Sequence, residues 1–208
     1  KRCEDCGFDL ATGRVEVVPT AHYMMGGVQM EIDCTTTTPG LFVAGEDAGG
    51  VHGANRLGGN GVANSTVFGA IAGDEMAAAI GRGVPLREPD LEFVEQGIVR
   101  AEKPFGQTKA DLSELRERLW SVMWDKVGIL RTADGIREGM RGLDDCRETL
   151  TGIGVENDDR AFNLTWHDWL NLDNQITVSQ AIAGASLARD DSRGAGRGVG
   201  VLRGRPYP

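Results

Sequence analysis

Three side chains carry the chemistry that this sequence makes available in its first hundred residues: His22, His52 and Arg56. Each stands in a segment otherwise built of small or apolar residues. The last two lie in Gly45-Glu46-Asp47-Ala48-Gly49-Gly50-Val51-His52-Gly53-Ala54-Asn55-Arg56-Leu57-Gly58-Gly59-Asn60-Gly61-Val62, where seven of eighteen residues are Gly. An arginine offers a planar fork of donors that matches a carboxylate, and a cationic histidine beside it would add charge. Loops on a rigid scaffold are where such groups concentrate. Taken singly, each has a plainer reading. His22 beside Tyr23 can be a structural histidine, Arg56 can pair with Glu46 or Asp47, and Asn60 can be a cap or turn residue. The joint pattern is what points to a site.

Positioning these residues takes a strand, a loop and a helix. Leu41 to Ala44 is continuously apolar, as expected of a short strand buried on both faces. The Gly-rich loop follows, then a helix expected over about 64–80. That arrangement brings backbone N–H groups against an anionic or electron-rich ligand. Gly69 and Gly73 lie four apart on one helix face, and a close approach to strands or ligand is expected there. Upstream, residues 1–9 read as a helix end stopped at Gly7, Arg14 to Val18 as a short strand, and Val28 to Ile32 as its return, with His22 near the bend. Gly81-Arg82-Gly83-Val84-Pro85 closes the first part.

Beyond a linker the texture changes. Leu112, Leu115, Leu119, Val122, Met123, Val127 and Leu130 follow a helical period. Thr132 reads as an N-cap with Asp134 in the first turn. Ile136, Met140, Leu143, Cys146 and Leu150 form the next stripe, and Leu172, Ile176, Ala183 and Leu187 the third, on a helix over about 164–189. Three helices with short connections predict an antiparallel bundle. All four Trp, at 120, 124, 166 and 169, fall in this part and read as packing residues. From Arg193 the chain is Gly- and Arg-rich without period. The expected organisation is therefore an α/β segment over 1–85, a linker over 86–104, an all-α three-helix-bundle-like domain over 105–190 and an irregular tail over 191–208.

The totals exclude several classes. The 208 residues carry a net charge of −9, which argues against nucleic acid or an anionic membrane as main partner. No apolar run approaches the ~20 residues of a membrane span. Glycine, at 30 residues, is about twice its usual ~7% share, concentrated in loops. Cys3 and Cys6 form one C-x-x-C with no second pair or matching His, so ordinary reduced thiols in a cytoplasmic protein are expected and no metal site. The first residues, Lys1-Arg2-Cys3-Glu4, are neither a Met start nor a signal peptide, and the expectation is a piece of a longer protein.

Three motifs in order carry a resemblance: Pro19-Thr20-Ala21-His22-Tyr23-Met24-Met25-Gly26-Gly27, then Pro39-Gly40-Leu41-Phe42-Val43-Ala44-Gly45-Glu46, then His52-Gly53-Ala54-Asn55-Arg56-Leu57-Gly58-Gly59-Asn60. Together they resemble the flavoprotein subunits of succinate dehydrogenase and fumarate reductase, with aspartate oxidase and adenylylsulfate reductase as relatives. Trp169 to Ile176 and Ala188 to Ala195 extend the resemblance, which covers nearly this whole chain but only the C-terminal portion of the family's protein. It implies an FAD-dependent oxidoreductase interconverting succinate and fumarate, or oxidising a related acid such as aspartate, with hydride transfer at flavin N5. It implies that His22 and Arg56 bind a carboxylate of a dicarboxylate substrate, that Glu46 hydrogen-bonds FAD, and that Asn60, Gly61 and Val62 complete the cofactor contact.

The backbone of Gly61 and Val62 would face the pyrimidine edge of the isoalloxazine. A helix N-terminus there stabilises the negative charge of reduced flavin. The resemblance further implies an iron–sulfur protein as partner of the helical domain, and any membrane association through partner subunits. No catalytic residue is assigned within this chain, because the family's proton-donating Arg belongs to a capping domain absent here, as is the N-terminal dinucleotide-binding half. The alternative is a catalytically silent fragment or interaction module. Gly61-Val62 stands where the family usually has Ser-Leu, and the tail after Ala195 departs from the family's pattern.

Overall fold

The computed structural model describes residues 2–9, 11–14, 22–83, 88–189, 192 and 197–198. It divides into two compact units, Lys1–Val84 and Pro85–Pro208.

In the first unit, α1 is a single turn, Arg2–Asp5. Its end is closed by Gly7 N–H donating to Glu4 O and Phe8 N–H to Cys3 O, the paired bonds of a glycine-stopped helix end. The strand expected over Arg14 to Val18 falls outside the described residues. Its expected return is reduced to β1, Val28–Gln29, which pairs in parallel with β2, Ala48–Gly49. The pairing is thus with the Gly loop, not with a preceding hairpin arm. It is possible because the chain passes within a bond's reach at Gly27, where a Cβ would lie 2.0 Å from Asp47 O and φ is +146°. The apolar run at Leu41 forms only one antiparallel bridge, Phe42 with Thr35, and Leu41 is half exposed. Two-sided burial is therefore not realised among the described residues.

Helix α2 spans Asn60–Gly81, beginning four residues earlier than periodicity suggests. Its first turn is Asn60-Gly61-Val62-Ala63, which has no apolar stripe to reveal it. A Cβ at Gly69 or Gly73 would meet nothing within 4 Å, so neither glycine serves a close approach to described atoms.

The second unit opens with a correction. Helix α3, Leu91–Glu102, occupies the stretch expected as linker. Asp90 caps it, its carboxylate accepting from the Glu92 and Phe93 N–H groups at 3.1 and 3.3 Å. Leu91, Val94 and Ile98 lie at helical spacing, but they are exposed, and the preceding Pro89 draws attention to a turn rather than to the cap beyond it. The short strand β3, Thr108–Lys109, leads to α4, Ser113–Val127. Then come β4, Leu130–Arg131, α5, Ala133–Thr151, β5, Ile153–Gly154, α6, Leu164–Ala188, and β6, Arg197–Gly198. β3 pairs in parallel with β5, and β4 with β6, so two residues of the expected irregular tail form a strand.

Helices α4, α5 and α6 form the predicted antiparallel bundle. Arg118 pairs with Asp145 near the middle of α4 and Lys126 with Glu138 at its C-terminal end. Arg147 reaches Asp173 and Thr177 while Asp144 accepts from Gln180. The shared core is Leu115, Leu119, Val127, Ile136, Leu143, Cys146, Leu150, Trp169, Leu172, Ile176 and Ala183. Thr132 caps α5 as expected, its Oγ1 accepting from Gly135 N–H at 3.0 Å. Gly139 and Gly142 bring α5 against Lys126, Val127 and Val122 of α4. Two of the four Trp pack: Trp169 Nε1 donates to Ile153 O and Trp166 Nε1 to Ala101 O. Trp120 and Trp124 are instead more than half exposed, because they lie on the outer face of α4, opposite Leu115 and Leu119.

Candidate functional site

The site lies in the first unit, where three chain segments meet at α2. The loop turns into α2 at Gly59, which caps the helix with φ +87°, a left-handed conformation natural to glycine. No side chain caps this end. Asn60 N–H is taken by Leu57 O at 3.2 Å. Gly61 and Val62 N–H, in the first turn, have no intrahelical acceptor to reach. Above Gly58 and Gly59 a Cβ would meet nothing within 4 Å, so the backbone approach to this end is open. Val62 is 78% exposed and Asn60 is exposed, so both stand free of the core.

Arg56 is half-buried and, among the described residues, pairs with neither Glu46 nor Asp47, which disposes of its plainer reading. One guanidinium nitrogen, Nη1, donates to Leu57 O at 3.2 Å, and the guanidinium carbon sits 4.3 Å from the Tyr23 ring centroid. Its Nε is buried and has no hydrogen-bond partner among the described residues. A buried donor without a partner is an expensive arrangement. His22 precedes Tyr23 directly and is exposed. Glu46 is exposed, and its Oε1 accepts from Met24 N–H at 2.8 Å, which ties the Gly loop to the His22 segment.

Two residues that sequence reasoning did not single out, Asn64 and Tyr23, hold the site together. Asn64, 4% exposed, donates from Nδ2 to Gly45 O at 3.1 Å. The same nitrogen lies 3.1 Å from Tyr23 Oη and 3.1 Å from His52 Nε2, and the hydroxyl and the ring nitrogen are 3.2 Å apart. The Tyr23 and His52 rings meet edge to face. Asn64 Oδ1 is the other buried polar side-chain atom without a partner among the described residues. An amide side chain one turn into a helix, where Asn is a poor helix former, was the available signal for Asn64. His52 is thereby a structural partner of Tyr23, while His22, for which that role was weighed, is the exposed one.

The residues present fit a flat, electron-rich cofactor with an anion above it. An uncapped helix end supplies two backbone donors, glycines leave its approach open, and a cationic side chain with an unmet donor stands beside it. Among the described residues no group of His, Cys, Asp and Glu is arranged to hold a metal ion. All four cysteines are free thiols, and Cys34 and Cys146 are buried.

Known proteins resemble this chain along most of its length. A family model described as the FAD binding domain matches residues 8–62, and one described as fumarate reductase flavoprotein C-term matches residues 97–197. The fumarate reductase flavoprotein subunit of Escherichia coli K12 is 31% identical over 195 residues, covering 91% of this chain and 32% of the relative. The 8-methylmenaquinol:fumarate reductase flavoprotein subunit of Wolinella succinogenes is 32% identical over 198 residues, with 90% and 32% covered. Among solved structures, the Sdh1 complex of Mycobacterium smegmatis in its apo form superposes with a TM-score of 0.84 at 35% identity, covering 95% of this chain and 34% of that one. The chain thus spans about a third of the length of the curated relatives it matches.

Proposed function

Because this chain belongs to the succinate dehydrogenase and fumarate reductase flavoprotein family and carries part of its FAD-binding domain, we propose that it forms one wall of a site that interconverts succinate and fumarate. The observation that carries this reading is the uncapped α2 N-terminus with the Arg56 guanidinium beside it, which has no carboxylate partner among the described residues. FAD, when bound, supplies hydride exchange at its N5. The chain's own residues hold and orient. The N–H groups of Gly61 and Val62 face the electron-rich edge of the cofactor, and the positive end of the helix dipole favours negative charge there. Asn60 and Glu46 lie at the same end as further cofactor contacts. Arg56 donates to a substrate carboxylate, its fork matched to two oxygens, and His22 adds a second donor on the adjacent segment. In this reading residues 1–85 are the last part of the FAD-binding domain and 105–190 the helical domain, with α3 inside the stretch between them. In this reading none of the residues of this chain is assigned as the proton donor.

A second reading has its own support. The chain spans about a third of its relatives' length, and α4 and α6 present an exposed apolar face at Trp120, Trp124 and Val178. The 208 residues alone would then be a silent module that docks an iron–sulfur partner on that face. Aspartate or another carboxylate in place of succinate remains within the first reading.

The test is visible flavin absorbance of the purified protein, alone and joined to the upstream part of its gene, followed by succinate–dye reductase activity. Turnover with stoichiometric FAD in the joined protein is the expected result. Flavin-free, inactive protein in both forms would favour the silent module. In the flavin-loaded protein, Arg56→Lys should weaken succinate binding by about tenfold or more, with FAD content unchanged, since an ammonium cannot reproduce the bidentate fork. Equal loss of both would make Arg56 structural.

A further inference from the structure

We propose that Tyr23 is the positioning residue for Arg56, locked in place by Asn64 and His52; this rests on the reading of Arg56 as the carboxylate ligand. A guanidinium on a long stem has several rotamers, and only an arrangement that restricts it makes a two-point contact with a carboxylate reproducible. Here the restriction is a ring. The Arg56 guanidinium carbon is 4.3 Å from the Tyr23 centroid, within the range of a cation on an aromatic face.

The ring in turn has little freedom. Its hydroxyl lies 3.1 Å from Asn64 Nδ2 and 3.2 Å from His52 Nε2. Asn64 has two amide hydrogens. One goes to the Gly45 carbonyl, which can only accept, leaving one for the hydroxyl or the imidazole. The Cε2–Cδ2 edge of the ring is closed by α2: a Cβ on Gly61 would lie 2.9 Å from Tyr23 Cε2 and 3.8 Å from the Arg56 guanidinium carbon. Any side chain at 61 would therefore push on the ring, and the hydrogen bonds at its hydroxyl resist the shift. Tyr23 also follows His22 directly in sequence. One locked residue thus fixes the Arg56 guanidinium and anchors the backbone that carries His22, the two groups read as ligands of one substrate.

Asn64 is the keystone of the lock because its Nδ2 lies 3.1 Å from an atom of each of three segments, donating to Gly45 O and to one of the other two. It reaches the Gly45 turn, the His52 loop and the Tyr23 segment from one buried position on α2.

The experiment has two arms. In the 208-residue protein, NMR of the Arg56 side chain should show Hδ and Hε shifted upfield by the ring beneath them. The shift should persist in Tyr23→Phe and vanish in Tyr23→Leu. Its absence from the wild-type protein would overturn the proposal, whatever the variants do. In the flavin-loaded enzyme containing this chain, Tyr23→Leu should raise the KM for succinate about tenfold with flavin content intact. Tyr23→Phe should recover most of that loss, whereas Asn64→Leu, which frees the ring, should fall between them. A succinate KM unchanged in Tyr23→Leu while Arg56→Lys is impaired would overturn the positioning role alone. An Arg56→Lys variant with unimpaired succinate binding would instead overturn the substrate reading, and the ring-shift arm would still stand on its own.

Discussion

Asp111 accepts the Ser113 N–H at 2.9 Å at the start of α4, and that bond, with help from the Ser113 hydroxyl, holds its carboxyl below the ordinary aspartate value. A carboxylate depressed in the folded state contributes stability above its unfolded pKa and loses it as pH falls through the lowered folded value. Denaturant midpoints of the wild type and Asp111→Asn should therefore differ at neutral pH and converge under acid. A gap that stays constant under acid would show that the bond does not titrate with the fold. Thiol chemistry separates the cysteines at the same scale. Burial pushes the Cys34 and Cys146 thiols up, and both are enclosed, whereas Cys6 is exposed and Cys3 half-exposed. A disulfide reagent on native protein should modify Cys3 and Cys6 fast and the other two only on unfolding. Fast modification of Cys146 would mean that the bundle core opens readily.

Caps and one buried carboxylate set the behaviour of the elements. Thr132→Ala removes the side-chain acceptor at the N-terminus of α5 and should lower stability by about 1 kcal/mol, read from chemical denaturation. Asp173 carries more. Its carboxylate, 9% exposed, accepts from Arg100 Nε of α3 at 2.9 Å and from Arg147 of α5, and it sits on α6. One side chain therefore joins three helices. Asp173→Ala should cost roughly 2–3 kcal/mol and loosen α3 in hydrogen exchange, because the charged hydrogen bonds to α3 are lost. If α3 kept its protection, the hydrogen bond at its end, from Trp166 Nε1 to Ala101 O at 2.7 Å, would be what holds it.

For the molecule as a whole, the weight of stability lies in the bundle. Leu119, Leu143 and Leu172 are each no more than 1% exposed and share one core. Leu143→Ala should destabilise the second unit by about 2–5 kcal/mol, and urea denaturation checks it. The site unit has a thinner interior, with Ala48, Ala72 and Cys34 as its buried apolar residues and Asn64 as its buried polar one among those described. It is held by hydrogen bonds at the Gly loop more than by apolar area. No described helix is long and apolar enough to cross a membrane.

What the sequence by itself determined was whatever repeats or punctuates. The bundle was legible because Leu115, Leu119, Ile136, Leu143, Leu150 and Ile176 recur at the helical period and one face must leave water. The Thr132 cap and the Gly7 stop were legible because single residue types do those tasks. The motifs around His22, Glu46 and Arg56 carried the family. Tertiary structure alone decided the rest. The Gly-loop unit has almost no period, so the start of α2 at Asn60 and the parallel pairing of Val28 with Ala48 left no pattern to read, whereas α3 in the second unit has Leu91, Val94 and Ile98 at helical spacing behind a Pro89 that reads as a turn. Tyr23, His52 and Asn64 lie up to 41 positions apart, and a hydrogen bond acts over about 3 Å in space regardless of separation along the chain. Which histidine stands free and which is tied to a tyrosine followed from that closure, and from nothing in either residue's neighbours.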